Sequence, residues 1–194
     1  MDLGKQNILF FTRTMMLGGT ENVVLQLCEV FKPKVNKIVV CSCGGVNVEK
    51  LTEMGIRHYQ IPDISSKKDM FKICRTVKKI VEKEQITVIH SHHRMAAFYT
   101  EILFGSSIIK IANAHNTFFD KKLLTRFAYR NTKVIAVGKM VKKNLVDYFR
   151  IPEKQVSVIH NAVKPFDGDY IEDKYIRLSL IHISEPTRLA LISY

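Results

Sequence analysis

Seven histidines occur in the 194 residues, and four of them crowd two short segments, His90-Ser91-His92-His93 and Asn113-Ala114-His115-Asn116. An imidazole near neutral pH can hydrogen-bond a hydroxyl, move a proton or ligate a metal. On an extended strand His90 and His92 share a face, and His115 can approach them from a neighbouring strand. Of these, His92 is expected to face the cleft, with His90 partly buried. The acids near these loops are Asp120 and Glu101. Hydrolytic metal sites want carboxylates or a fuller donor set, so no metal site is predicted, and metal-dependent hydrolysis is the weakest reading. A third segment, Gly18-Gly19-Thr20-Glu21, has another chemistry. A double glycine lets backbone N–H groups approach a phosphate at a helix N-terminus. The same residues also suit a plain turn with Thr20 as N-cap, and Glu21 suits either a first helical turn or a hydroxyl-bearing ligand. No G-x-G-x-x-G is present, which disfavours a dinucleotide site.

These segments need elements to place them. Short apolar runs at 7–12, 37–42, 86–90, 108–112, 133–137 and 155–160 read as strands, with 58–61 a further one. They are β-branched and apolar on both faces, as buried parallel strands are. Between them, 20–31, 67–83, 94–104, 121–130 and 139–149 carry apolar residues at helical spacing. Strand alternating with helix predicts right-handed crossovers and an α/β, Rossmann-like α/β/α sandwich around a parallel sheet. Ligands bind outside the carboxyl ends of such strands, which is where all three segments fall.

The order of these motifs resembles the N-terminal half of a family-4-type GT-B glycosyltransferase. Gly18-Gly19-Thr20-Glu21, His90-Ser91-His92, His115, Val134-Ile135-Ala136-Val137 and Val158-Ile159-His160-Asn161-Ala162-Val163 fall in the family's sequence over about residues 6–166. Gly138, Ala162 and Lys164 depart from its usual Ser, Gly and Asp. The resemblance implies an acceptor-side domain over 1–166 and the start of an interdomain hinge over 167–177. It implies transfer of a sugar, with retention, from a nucleotide-diphosphate donor to a hydroxyl of a glycan or lipid-linked acceptor in cell-surface polysaccharide or glycolipid assembly. No further cofactor is implied. His115 would sit at the reacting sugar, positioning sugar and acceptor. Gly18, Gly19, Thr20, His92, Asn116 and Asn161 would contact substrate or its phosphates. A structural, hydrogen-bonded role for His115 stays open. The family's donor-binding domain with its E-x7-E motif is not found in these 194 residues, so the chain alone is expected to be inactive. Glu21 and Glu29 share that spacing but lie on the first helix of this half.

Composition is consistent with one globular core: 46% hydrophobic and 25% charged residues, 9 Gly and 5 Pro. Four cysteines at irregular spacing suit core positions in a reducing compartment, not a disulfide framework. No signal-like or membrane-spanning run is visible, so a cytoplasmic protein is predicted. Net charge is +12, and residues 121–150 contribute nine bases against one acid. Lys121, Lys122, Arg126, Lys142 and Lys143 are read as a surface for anionic membrane, on its inner face; a solvated basic face is the alternative. Basic residues without interleaved aromatics and without a nucleic-acid motif argue against nucleic acid. A non-catalytic module binding phosphate, glycan or membrane is the alternative function. Residues 178–188, LSLIHISEPTR, match a translated sequencing adaptor, and 178–194 are expected to be foreign to the native protein.

Overall fold

A computed structural model of the chain describes residues 2–66 and 68–162. A compact unit spans Met1–Asn161. The expected domain end at 166, the hinge at 167–177 and the adaptor-like tail at 178–194 lie outside the described residues.

Among the described residues, seven strands form one parallel sheet: β1 (Asn7–Phe11), β2 (Lys37–Ser42), β3 (Arg57–Gln60), β4 (Val88–Ser91), β5 (Ile109–Ala114), β6 (Lys133–Ala136) and β7 (Val156–Val158). Their order is β3-β2-β1-β4-β5-β6-β7, a Rossmann-like α/β sandwich. The helices are α1 (Gly19–Phe31), α2 (Val48–Glu53), α3 (Met70–Glu84), α4 (Arg94–Phe104), α5 (Lys122–Ala128) and α6 (Lys139–Lys143).

Period-2 alternation sends neighbouring strand residues to opposite cores. Leu9, Phe11, Val39, Cys41 and Ile89 pack with Ile73, Val77, Ile80 and Ala96 from α3 and α4. Ile8, Phe10, Ile38 and Val40 pack on the other side with Val24, Leu25 and Cys28 of α1 and Leu51 of α2. A third cluster joins Ala112, Ala114, Val134 and Ala136 to Ala97, Ala128 and Phe149. Burying the strands on both faces is what makes them read as continuous apolar runs.

The structure differs from the sequence reading at two elements. The short helix α2 was not expected; it buries only Leu51 and carries too few turns to show a period. The helix expected over 139–149 is instead α6 followed by a π-helical turn, Asn144–Tyr148. Asn144 explains the widening, because its buried amide serves both backbone groups of Phe118: Oδ1 accepts from the N–H at 3.1 Å and Nδ2 donates to the carbonyl at 2.9 Å. On α3, Ile73, Val77, Ile80 and Val81 face the core, and Phe71 is 90% exposed.

Candidate functional site

The strand order reverses between β1 and β4, the switch point at which open α/β sheets bind ligands. A cleft opens there, at the carboxyl ends of β1, β4 and β5. Its walls are Arg13 and Thr14 after β1, Thr20 and Glu21 on α1, His92 and His93 after β4, and His115 and Asn116 after β5. Two histidine segments some twenty residues apart in sequence meet because β4 and β5 pair in register, Ser91 opposite Ala112.

The β1 loop is braced from below by a second glycine turn, Gly44-Gly45, which sequence reasoning missed. Met15 N–H donates to Gly44 O at 2.9 Å, and Asn47 N–H donates to Met15 O at 2.8 Å. Gly45 has φ +146°, and a Cβ there would lie 2.4 Å from the Met15 carbonyl carbon. Only glycine allows this approach. Gly18 is the N-cap of α1, and Gly19 is its first residue. Thr20 therefore lies inside the first turn and is not the N-cap. The Thr14 hydroxyl donates to Glu21 Oε1, which ties the β1 loop to the helix start.

His115 is half-buried, and burial holds its pKa below the ordinary value against an opposing pull from Glu21. His92, expected to face the cleft, contributes to its wall but is only 3% exposed. Its backbone N–H donates to Phe11 O at 2.8 Å, which continues the sheet one residue past β4, and its ring lies near Phe10. His92 Nδ1 lies 3.3 Å from His115 Nε2. His90, one pleat further down, hydrogen-bonds Asn113 Oδ1 at 2.9 Å, and burial lowers its pKa to about 4. Burial first, then the charges of His90 and His115, hold His92 well below the usual histidine value. His93 accepts the Met95 N–H at 3.1 Å, capping α4. Burial and then Arg13 and Arg94 lower its pKa to about 4. The histidines of the site are neutral at pH 7 and offer hydrogen bonds, not charge.

Both guanidiniums of the cleft are already paired. Arg13 makes a two-pronged contact with Asp63, with Nη2 at 2.8 Å from Oδ2 and Nε at 3.0 Å from Oδ1, and holds that carboxyl down at about 2. Arg94 makes a like two-pronged contact with Asp120, at 2.8 and 3.2 Å, which lowers that carboxyl's pKa, and stacks over Phe118 at 4.8 Å from the ring centre. This second network reaches back to Asn144 through Phe118; of its members only Asp120 was named from sequence, as a nearby acid. Arg94, the first residue of α4 directly after the histidine run, was the available signal. A cleft whose cations are neutralised and whose histidines are uncharged suits a hydroxyl-rich ligand.

Asn116 and Thr20 line the cleft, whereas Gly18 and Gly19 lead into it without lining it. Asn161 is exposed beyond β7, at the sheet edge two strands from β5, and does not join the cleft. Lys121, Lys122 and Arg126 are exposed on and before α5, next to Phe119 and Leu123, which are 72% and 79% exposed. Lys143 is exposed on α6, and Lys142 pairs with Glu153 at 2.9 Å. Among the described residues, no group of three or more His, Cys, Asp or Glu could hold a metal ion, and no helix is long and apolar enough to cross a membrane.

This sheet order is the fold of one Rossmann-like half of a GT-B enzyme. The chain belongs to Glycosyltransferase Family 4, whose model matches residues 17–165. It is 26% identical over 192 residues to one subunit of the human phosphatidylinositol N-acetylglucosaminyltransferase, covering 89% of this chain and 39% of that protein. A glycosyltransferase from Rickettsia africae superposes with a TM-score of 0.72 at 15% identity, over 92% of this chain and 50% of that one. Anabaena HepE, solved in complex with UDP and glucose, superposes with a TM-score of 0.66 at 15% identity, over 90% of this chain and 50% of that one. The chain thus spans about half the length of the solved structures and less of the human relative.

Proposed function

We propose that this chain is the acceptor-side domain of a retaining, hexosyltransferase-type enzyme that moves a sugar from a nucleotide-diphosphate donor to a hydroxyl on a lipid-linked acceptor. The observation that carries the reading is His115, half-buried at the switch-point cleft and facing the Glu21 side of α1. A neutral imidazole there can hold a sugar or acceptor oxygen without attacking it. In the transfer, the acceptor oxygen bonds to the anomeric carbon as the bond to the donor diphosphate breaks on the same face. The hydroxyl proton leaves with a departing phosphate oxygen. The donor nucleotide binds mainly in a second Rossmann-like domain, so these 194 residues alone transfer negligibly.

The human relative named for phosphatidylinositol favours a lipid acceptor over a soluble glycan. So does the exposed apolar pair Phe119 and Leu123 among Lys121, Lys122 and Arg126, which suits peripheral docking on the anionic inner face of a membrane. The test supplies the intact two-domain protein with labelled UDP-sugars and a lipid extract. Label entering the lipid phase supports the reading. Binding of sugar, phosphate or vesicles without any transfer would make the chain a non-catalytic module.

A further inference from the structure

The described part of the chain leaves two buried side-chain polar atoms without a hydrogen-bond partner, Asn47 Oδ1 and His92 Nε2. Asn47 is anchored through its other amide atom, which donates to Met16 O at 2.6 Å. His92 is different, because its ring lies between Phe10, at 5.8 Å between ring centres, and His90, at 4.5 Å. Its one nitrogen contact is Nδ1 to His115 Nε2.

A neutral imidazole carries one N–H and one bare nitrogen, and the other nitrogen's partner decides which is which. Two arrangements satisfy the 3.3 Å contact. If His115 donated from Nε2, the His92 proton would sit on Nε2, a buried N–H with no acceptor. If His92 donates from Nδ1, the orphan Nε2 is only a bare lone pair. An orphaned buried donor is the rarer and costlier of the two. We infer that His92 is the Nδ1–H tautomer, donates to His115 Nε2, and thereby fixes the His115 proton on Nδ1.

Among the described residues that nitrogen of His115 has no hydrogen-bond partner, and it is not one of the buried orphan atoms. It is therefore the one left to the cleft, where the facing charged group is Glu21. His92 is a positioning residue: it makes His115 a hydrogen-bond donor toward an oxygen-bearing ligand, where a free imidazole would prefer the opposite tautomer. His90 supports the pair by bridging β4 to Asn113 of β5, which keeps the two strands at the spacing the contact needs. The nature of the ligand oxygen rests on the proposed function; the tautomer does not.

Long-range proton–nitrogen spectra of the labelled 194-residue chain, without donor or acceptor, read the tautomer directly. His115 is expected to show a protonated Nδ1 and a bare Nε2, with His92 protonated on Nδ1. His115 protonated on Nε2 would overturn the inference. His92→Asn, whose side-chain N–H group stands in for Nδ1, should keep the His115 pattern, and His92→Leu should shift it toward Nε2–H. An unchanged His115 pattern in folded His92→Leu would also overturn it. If His92→Leu does not fold, the wild-type and His92→Asn spectra still decide. A failed transfer assay would leave this result standing, so the two readings fail separately.

Discussion

His92 Nδ1 lies 3.3 Å from His115 Nε2, joining a buried ring on β4's extension to a half-buried ring at the end of β5. The cleft therefore has a rigid back wall of neutral imidazoles and a front rim of paired ions. Its hydrogen-bonding groups are held by the sheet, not by the loops alone. Sites built on strand ends hold geometry better than sites on free loops.

Neutral buried histidines make folding sensitive to acid. The pKa values of His90 and His93 are lowered to about 4 in the folded chain, below the ordinary 6.5. Their contribution is complete above pH 6.5 and is lost as pH falls toward 4, because the unfolded chain then binds the protons first. Each such group gives a slope of roughly 1.4 kcal/mol per pH unit within that window. Thermal unfolding followed from pH 7 to 4 should show a falling Tm. His93→Asn, which keeps the α4 cap, should flatten the fall. A Tm independent of pH over this range would contradict the burial of these rings as neutral groups.

A second acid window lies lower. Glu84 is buried and receives Tyr59, Arg57 and Lys37, and these contacts hold it down at about 2. Its stabilisation is present above about 4.5, the ordinary glutamate value, and is lost on acidification toward 2. Glu84→Gln should lower Tm at pH 7 and should erase the difference from wild type near pH 2. An equal deficit at both pH values would mean the carboxylate charge is not what stabilises.

Gly45 supports the cleft from outside it. With φ +146° and Met15 backbone atoms about where a Cβ would stand, Gly45→Ala should destabilise by about 2 kcal/mol or more. Differential scanning calorimetry should show Tm lowered by several degrees. A Gly18→Ala control should be milder, since the atom its Cβ meets is the end of the flexible Glu21 side chain. Equal effects would remove the special role of the Gly45 approach.

How far the sequence discloses this molecule depends on the range of each interaction. Helix α4, Arg94–Phe104, is legible to the residue because its period is strong and a polar cap and a glycine bracket it. Strand β4 begins at Val88, not at Ile86, since the Ile86 N–H is taken by Val81 O at the end of α3. Strand β5 runs on through Asn113 and Ala114, where the apolar run has stopped, because those residues pair with Ile135 and Ala136 of β6. In the site, the spacing of His90, His92 and His115 carries the cluster, and strand register does bring them together. Which ring is buried is not legible, because that depends on Phe10 from β1. The Arg94–Asp120 and Phe118–Asn144 contacts span 26 residues each and leave no periodic trace.

Membrane docking has its own readout. Charge reversal at Lys121, Lys122 and Arg126 should weaken binding to anionic vesicles at least tenfold and leave binding to neutral vesicles unaltered. Leu123→Ser should weaken binding to both, since its exposed side chain would enter the interface. Retained anionic-vesicle binding in the triple variant would return this face to ordinary solvated surface.

The most direct test is sugar transfer by the intact two-domain protein carrying His115→Ala. With labelled UDP-sugar and lipid acceptor, transfer should fall about 100-fold or more, with Tm within about 2 °C of wild type. Transfer at the wild-type rate would take His115 out of the reaction and contradict the account.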